Sequence, residues 1–380
     1  MITNNYIEKI ILKRNKSQYI NIYKENKNKI NKKLSKKNIL INGAAGTVGS
    51  SLATFLVNNF KDIKKLILID INESELVELQ RIINSLNEII KIELIVMNVN
   101  STLYDEYLNS NKNKIDIIFY CCALKHVRSE NNIYSLKNMI TTNFLSVVKH
   151  VKLLKNTKTN FFYISTDKSA NPSNLMGLTK KLGEISSILF LNNNLKFKFV
   201  RFTNILISNG NIIDTTIRRI LNNRAIAVPK NIYRFFITRE EAVHLVLISM
   251  TLSNKYNGMV PDINIKNKYL IEDIQLQLIN IFKNKFNISI KKPIFYKNRT
   301  NGEKIIEDLI DKNEDYTTDS KYKDLFFIKL EKYSEDKFKE LIKEIKIEET
   351  KSINYYIRLF KKYISSFEYY KSNESLDKRY

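Results

Sequence analysis

The sequence predicts an α/β protein: a Rossmann-type doubly wound parallel sheet, a smaller C-terminal substrate-binding lobe, and helical appendages at both ends. Three observations carry that reading. Apolar, strand-length runs alternate with helix-spaced segments from about residue 38 to 202. A glycine-rich turn, "NGAAGTVGS", joins the first strand to the first helix. The run "IDIIFYCCA" (115–123) is almost wholly apolar, as a strand covered on both faces should be.

The elements follow in order. Residues 1–37 carry 11 Lys/Arg against 2 Asp/Glu and read as a basic helical arm, with Ile7, Ile10 and Ile11 as a short apolar stripe. "NILING" (38–43), "KLILID" (65–70) and "KIELIVMNV" (91–99) read as strands. "TVGSSLATFLVNNF" (47–60) and "ESELVELQRIINSL" (73–86) have helical spacing. The strand 115–123 precedes a helix over roughly 133–155. "NFFYIST" (160–166), a helix over 176–192 and "KFKFVRF" (196–202) complete the alternation. Residues 38–203 therefore form the dinucleotide-binding domain. Beyond 204 the regularity weakens, with helices near 213–222, 239–253 and 270–283, and 204–310 reads as the substrate lobe. Residues 311–380, with 16 Lys/Arg and 15 Asp/Glu, read as a helical appendage.

The composition bounds the function. A chain of 380 residues that is 43% hydrophobic can build a sizeable core. The formal charge of +24 invites a nucleic-acid reading. Lysine, asparagine and isoleucine crowd the whole chain, however, and no aromatic-interleaved basic motif or Cys/His finger spacing appears, so no nucleic-acid partner is expected. The basic arm leaves a peripheral contact with an anionic membrane open, although a helix packed on the domain explains it better. Cys121 and Cys122 are adjacent in a strand, point to opposite faces and do not suit a disulfide. No metal site is expected. No run approaches 18 apolar residues and no apolar leader block opens the chain, so the expected location is the cytoplasm.

The glycine turn carries the first chemistry. Gly43, Gly46 and Gly49 form GxxGxxG between a strand and a helix. Glycine allows the tight turn and lets the backbone, with Thr47 and Val48, approach a pyrophosphate at the helix N-terminus. Asp70 ends the second strand, 21 residues after Gly49. A carboxylate there accepts from ribose hydroxyls and repels a 2′-phosphate, which favours NAD while NADP stays open. Asn98 and Val99, at the end of strand three, are placed to meet the adenine.

The reacting centre is expected at the carboxyl ends of strands four and five. "STDKSANPSNLMGLTK" (165–180) puts Asp167 and Lys168 just past strand five. Lys180 can hydrogen-bond the nicotinamide ribose, and Thr166 can hold a substrate hydroxyl. Many nucleotide-dependent oxidoreductases carry a tyrosine four residues before such a lysine; here that residue is Met176, which exchanges no proton. Asp167 and Lys168 offer the acid and base that elimination of water requires. That role expects burial to raise the aspartic acid and lower the lysine.

At these residues the sequence resembles the UDP-N-acetylglucosamine 4,6-dehydratases, the CapD-like polysaccharide-biosynthesis branch of the extended short-chain dehydrogenase/reductases. "CCALKHV" (121–127), "VRFTNILISNG" (200–210), "YRFFITREEAVHLV" (233–246) and "GEKIIEDLI" (302–310) extend the resemblance over about 38–310. It implies hydride transfer from the sugar C4 to NAD(P)⁺, loss of the C5 proton, departure of the C6 hydroxyl as water, and return of the hydride to C6. It assigns Asp167 as the acid and Lys168 as the base, puts Thr166, Met176 and Lys180 at the triad positions, and includes methionine variants. Lys125 and His126 would line the sugar pocket, and Asn204 and Arg234 would hold the nucleotide diphosphate. A homo-oligomer is implied on the same ground.

The sequence also departs from the family pattern. Thr203 stands where it usually has Gly, and Asn211-Ile212 where it has Gly-Ser. Three readings stay open: the dehydratase, an NAD-dependent UDP-sugar 4-epimerase, and a non-catalytic basic binding protein on a Rossmann scaffold. The C5 configuration of a dehydratase product is open too.

Overall fold

In the computed structural model the chain is described over residues 4–86, 89–190, 195–262, 268–297, 299, 302–330, 333–347 and 349–371. Two helices, α1 (Asn4–Leu12) and α2 (Ile20–Leu34), precede the alternating region. There follow β1 (Asn38–Asn42), α3 (Thr47–Asn59), β2 (Lys65–Asp70), α4 (Glu73–Leu86), β3 (Lys91–Val96), α5 (Thr102–Asn111) and β4 (Ile117–Tyr120). The second half contains α6 (Ile133–Ile140), α7 (Ser146–Leu153), β5 (Asn160–Thr166), α8 (Leu175–Ile185) and β6 (Lys196–Phe202). Then come β7 (Asn204–Ile205), α9 (Ile212–Leu221), β8 (Ala227–Pro229), β9 (Tyr233–Ile237), α10 (Arg239–Ser249), β10 (Gly258–Pro261), β11 (Lys268–Leu270) and α11 (Ile271–Phe286). The chain closes with β12 (Ile294–Tyr296), β13 (Asp315–Thr318), β14 (Leu325–Lys329), α12 (Glu335–Glu344) and α13 (Ile353–Tyr363).

One sheet organises these elements, in the order β3-β2-β1-β4-β5-β6-β10-β14-β13. The first seven strands run parallel; β14 is antiparallel to β10 and β13 to β14. Asn42 pairs with Ile69 on one side and Tyr120 on the other, so the strand order reverses at β1. That reversal opens a crevice at the strand carboxyl ends, where ligands of open α/β sheets bind. Ile39, Leu40 and Ile41 are all fully buried because helices cover both faces. All of α8 is buried, Lys180, Lys181 and Glu184 included, since the C-terminal region packs over its outer side.

The doubly wound sheet is as predicted, and several boundaries are not. The region 311–380 is more than a helical appendage, because "LFFIK" pairs with β10 and extends the main sheet. Its register sets Gly258 opposite Ile328, and a Cβ at Gly258 would lie 2.2 Å from the Phe199 ring. The apolar run is short and sits in lysine-rich chain, so periodicity alone concealed it. Helix α5 was not predicted; it is short and buries only Tyr104 and Leu108. The helix expected over 133–155 is interrupted by a π-helical turn, Thr141–Leu145. The strands expected over 91–99 and 115–123 end at Val96 and Tyr120, which leaves the following residues free to line the crevice.

The basic arm is packed on the domain. Ile7, Ile11 and Leu12 join a core cluster with Leu206, Ile213 and Phe282, whereas Ile10 is half-buried. Arg14 pairs at 2.9 Å with Glu241, whose side chain completes the capping box of α10 with Thr238. Among the described residues no helix is long and apolar enough to cross a membrane.

Candidate active site

Two adjoining cavities lie along the crevice and share Gly46, Cys121 and Ala123. One is lined by Gly43, Asp70, Asn98, Val99 and Asn100. The other, of about 350 Å³, is lined by Thr47, Val48, Lys125, His126, Thr166, Lys168, Met176, Lys180 and Asn204 among others. Most of the residues singled out from the sequence therefore converge on one cleft.

The first cavity is built from main chain. Gly43 has φ +76°, and a Cβ there would lie 2.7 Å from the Cys122 nitrogen just past β4, so only glycine fits this turn between β1 and α3. A Cβ on Gly49 would lie 2.2 Å from the Gly43 oxygen. Gly49 lines neither cavity; it lets α3 start close against the turn. The first turn of α3 has no side-chain cap, so its N–H groups suit an anion. Asp70 accepts from Ala45 N (2.9 Å) and Asn72 N (3.0 Å), and each oxygen keeps a further lone pair. It therefore braces the glycine turn as well as lining the cavity. A turn a Cβ would fill, an uncapped helix end and a carboxylate at the next strand end fit a dinucleotide.

The second cavity is built from side chains. Thr166, the last residue of β5, donates to Asp167 Oδ1 (2.9 Å) and caps the short 3-10 turn Asp167–Ser169. Lys168 Nζ donates to the same oxygen (3.1 Å) and to Asn204 Oδ1 (3.3 Å). Asp167 itself is fully buried and does not line the cavity, contrary to the expectation that it faces the substrate directly. Its Oδ2 is buried with no hydrogen-bond partner among the described residues. The strand end turns Asp167 inward, so its links to the cleft are the Thr166 hydroxyl and the Lys168 ammonium.

Lys180 Nζ stacks 4.0 Å from the Tyr163 ring centroid. Burial, only partly offset by the Glu184 carboxylate, brings this lysine down to about 7, so its neutral form is available near neutrality. Burial lowers Lys125 and His126 as well. Lys125 Nζ reaches Ser208 Oγ at 3.3 Å. Gly210, at φ +73°, leaves room for the His126 ring, which a Cβ there would approach to 2.9 Å. Arg234 departs from expectation: it lines neither cavity, and its guanidinium donates to the carbonyls of Tyr233, Lys304 and Ile305. Those bonds all come from Nη1, while Nη2 lies 3.5 Å from Glu307 Oε1, so the guanidinium holds the 302–307 segment.

Three supports escaped the sequence reading. Asn143, in the π-helical turn, accepts from Leu124 N and donates to Leu124 O and Thr179 Oγ1, tying the 121–126 loop to α8. Glu130 accepts from Leu175 N (2.8 Å) and Met176 N at the start of α8. Burial, against those N–H groups, raises its carboxyl to about 7. Behind the turn, Arg201 bridges Glu184 (2.6 Å) and Glu314 (2.5 Å), and Lys181 bridges Asp311 (3.2 Å) and Glu314, all fully buried. Burial would raise Glu314, but Arg201 and Lys181 outweigh it and hold the carboxyl down at about 2. Ser169 Oγ reaches both Glu184 (2.6 Å) and the Thr166 carbonyl (2.7 Å), linking this network to the turn. The only sequence signal was charge embedded in apolar context, in "VRF" and "GLTKKLGEI".

Residues 39–330 match the family model described as polysaccharide biosynthesis protein. The chain is similar to the capsular polysaccharide biosynthesis protein CapD of Staphylococcus aureus, 30% identical over 75% of this chain and 47% of that one. It thus spans about half the length of that relative. It is 27% identical to a UDP-glucose 4-epimerase of Rickettsia bellii, over 73% of this chain and 79% of that one. It is 26% identical to an inverting UDP-N-acetylglucosamine 4,6-dehydratase of Campylobacter jejuni, over 56% and 63%. Among solved structures, Pen from Bacillus thuringiensis aligns with TM-score 0.68 at 23% identity, covering 78% of this chain and 88% of that one. The UDP-glucuronic acid 4-epimerase of Bacillus cereus, solved with UDP-glucuronic acid and NAD, aligns with TM-score 0.58 at 18% identity, covering 72% and 90%. These likenesses establish the fold.

Proposed function

The chain belongs to the polysaccharide biosynthesis protein family, and from that premise we propose that it is an NAD-dependent nucleotide-sugar 4,6-dehydratase acting on UDP-N-acetylglucosamine. The observation that carries this reading is the composition of the second cavity: Lys168 backed by Asp167 at a strand end, with Met176 where a proton-exchanging phenol would serve simple alcohol oxidation. The pair is what elimination needs and epimerisation does not.

The residues at Gly43–Gly49 would hold the pyrophosphate, Asp70 the adenosine ribose, Asn98 and Val99 the adenine, and Lys180 the nicotinamide ribose. When bound, the nicotinamide supplies a reversible two-electron acceptor for C4 that ends the cycle as it began. Thr166 meets the C4 hydroxyl and passes its proton to Asp167, with which it is already hydrogen-bonded. Lys168 takes the C5 proton, acidified by the new C4 ketone. The proton stored on Asp167 returns through Thr166 to the C6 hydroxyl, which leaves as water. With the hydride taken from C4 going back to C6, as the bound nicotinamide would allow, Lys168 surrenders its proton to C5. Protons balance, and the sugar has lost one water. Lys125 and His126 line the same cavity from the 121–127 loop and would contact the sugar nucleotide.

Incubating the purified protein with UDP-N-acetylglucosamine and NAD⁺ tests this by mass spectrometry. A product lighter by about 18 Da, with no net NADH, is expected. A product of unchanged mass epimerised at C4 would establish instead the second reading, a 4-epimerase, which the Rickettsia relatives favour.

A further inference from the structure

One buried carboxylate that the proposed reaction does not use faces the Asp-Lys turn from the far end of the chain. Glu307 is 5% exposed. Its Oε1 lies 3.7 Å from Lys168 Nζ and 3.5 Å from Arg234 Nη2. Its position is fixed independently of Lys168. Ser173 Oγ and Asn174 Nδ2 donate to Gly302 O, Lys304 Nζ donates to Asn171 O (2.6 Å), and Arg234 Nη1 donates to Lys304 O (3.0 Å). The 302–308 segment is thus strapped over the turn, with Glu307 on its inner side.

We propose that Glu307 is a positioning residue for Lys168: reaching over from the 302–308 strap, it holds the amine at the cavity wall. Lys168 has Asp167 on its own turn, Glu307 from the strap, and neutral Asn204 after β6. The two carboxylates thus approach the amine from two different elements. Arg234, reaching Glu307 from β9, shares that negative charge and limits its pull. Lys304, behind the turn, is engaged by main-chain carbonyls and Asp308. Lys180, Lys125 and His126 line the same cavity and add no negative charge. This geometry also gives Arg234 and the "GEKIIEDLI" segment a role that a phosphate contact does not: they aim and neutralise a carboxylate.

The kinetic readout of this inference rests on the dehydratase reading; its relaxation readout does not. The full chain is labelled at lysine Cε with carbon-13, and the Lys168 resonance is identified by its loss in Lys168→Arg. In Glu307→Gln, the relaxation of the Lys168 Cε is expected to move toward that of the exposed lysines. The kcat should fall about tenfold with it, with KM within about twofold. Glu307→Asp, which keeps the charge at greater distance, should restore part of both, and it carries the comparison if Glu307→Gln melts markedly lower. Lys168 relaxation in folded Glu307→Gln and Glu307→Asp that superimposes on the wild type overturns the proposal. Should the wild type dehydrate no nucleotide sugar, the dehydratase reading falls, and the relaxation alone decides Glu307.

Discussion

The wall of the cleft that carries Gly43–Gly49 and the wall that carries Thr166–Asn174 differ in where their supports come from. The first is made by neighbours in sequence: a turn between β1 and α3, braced by Asp70 from the next strand. Its functional atoms are main-chain N–H groups, and its rule is the absence of side chains. The second depends on partners far along the chain. Asn204, Glu307, Asp311 and the 366–370 tail all reach the 166–174 turn, and Tyr370 N and Glu368 N donate to the Ser173 and Pro172 carbonyls. A cofactor wall made of backbone serves many reactions, whereas a reacting wall made of side chains selects one. The chemistry proposed for this chain therefore sits on the wall that long-range contacts support.

That contrast can be broken by mutation. The largest effect is expected for Lys168→Ala. If the Asp-Lys turn is the elimination centre, dehydration falls by roughly 10³–10⁴-fold, while NAD affinity, read by calorimetry, stays within about twofold. Wild-type-like turnover would sink the assignment. Next comes Arg201→Met, which leaves buried Glu184 and Glu314 short of a cation. It should cost about 3–5 kcal/mol in denaturant unfolding, and a variant as stable as the wild type would mean the network does not hold the turn.

Glu130→Gln tests the same wall through pH. The folded carboxyl lies near 7 against an ordinary 4.5. Its protonated form is the one the fold favours, so that contribution is present below pH 4.5 and is lost as pH rises to about 7. The wild type should lose roughly 3 kcal/mol over that range relative to the glutamine variant. Parallel stability curves would show that Glu130 does not titrate there. The smallest effect is expected on the cofactor wall. Asp70→Ala removes one brace among several and should weaken NAD binding about tenfold, or ~1.4 kcal/mol. Unchanged NAD affinity would take Asp70 out of the proposed site.

The two walls were unequally legible in the sequence. Gly43, Gly46, Gly49 and Asp70 were readable because their spacing is local and their role follows from backbone geometry. Lys168, Met176 and Lys180 were readable as positions past a strand and on a helix, and all three line the cavity. Asp167 was readable as a residue type but not as a direction, since one step along the strand end turns it into the core. The partners of Arg234 were not readable, because two of the carbonyls that it reaches lie some 70 residues away. Strand β14 was missed because four apolar residues amid lysines carry little periodic signal until an edge strand stands beside them.

The sequence by itself determined the alternation of strand and helix, the glycine turn, and the identity of the groups at the strand ends. Hydrophobic spacing and the stereochemistry of glycine act over a few residues, and those are visible in the chain. Only the tertiary structure decided which ionisable groups share a site: that Asp167 lies beneath Thr166 and Lys168, that Arg201 joins Glu184 to Glu314, and that Glu307 faces Lys168. The physical reason is range. Burial and charge pairing depend on separations of a few ångströms and on side-chain direction, in pairs such as Arg201–Glu314 and Lys168–Glu307 between residues more than a hundred apart in the chain, and folding alone sets these.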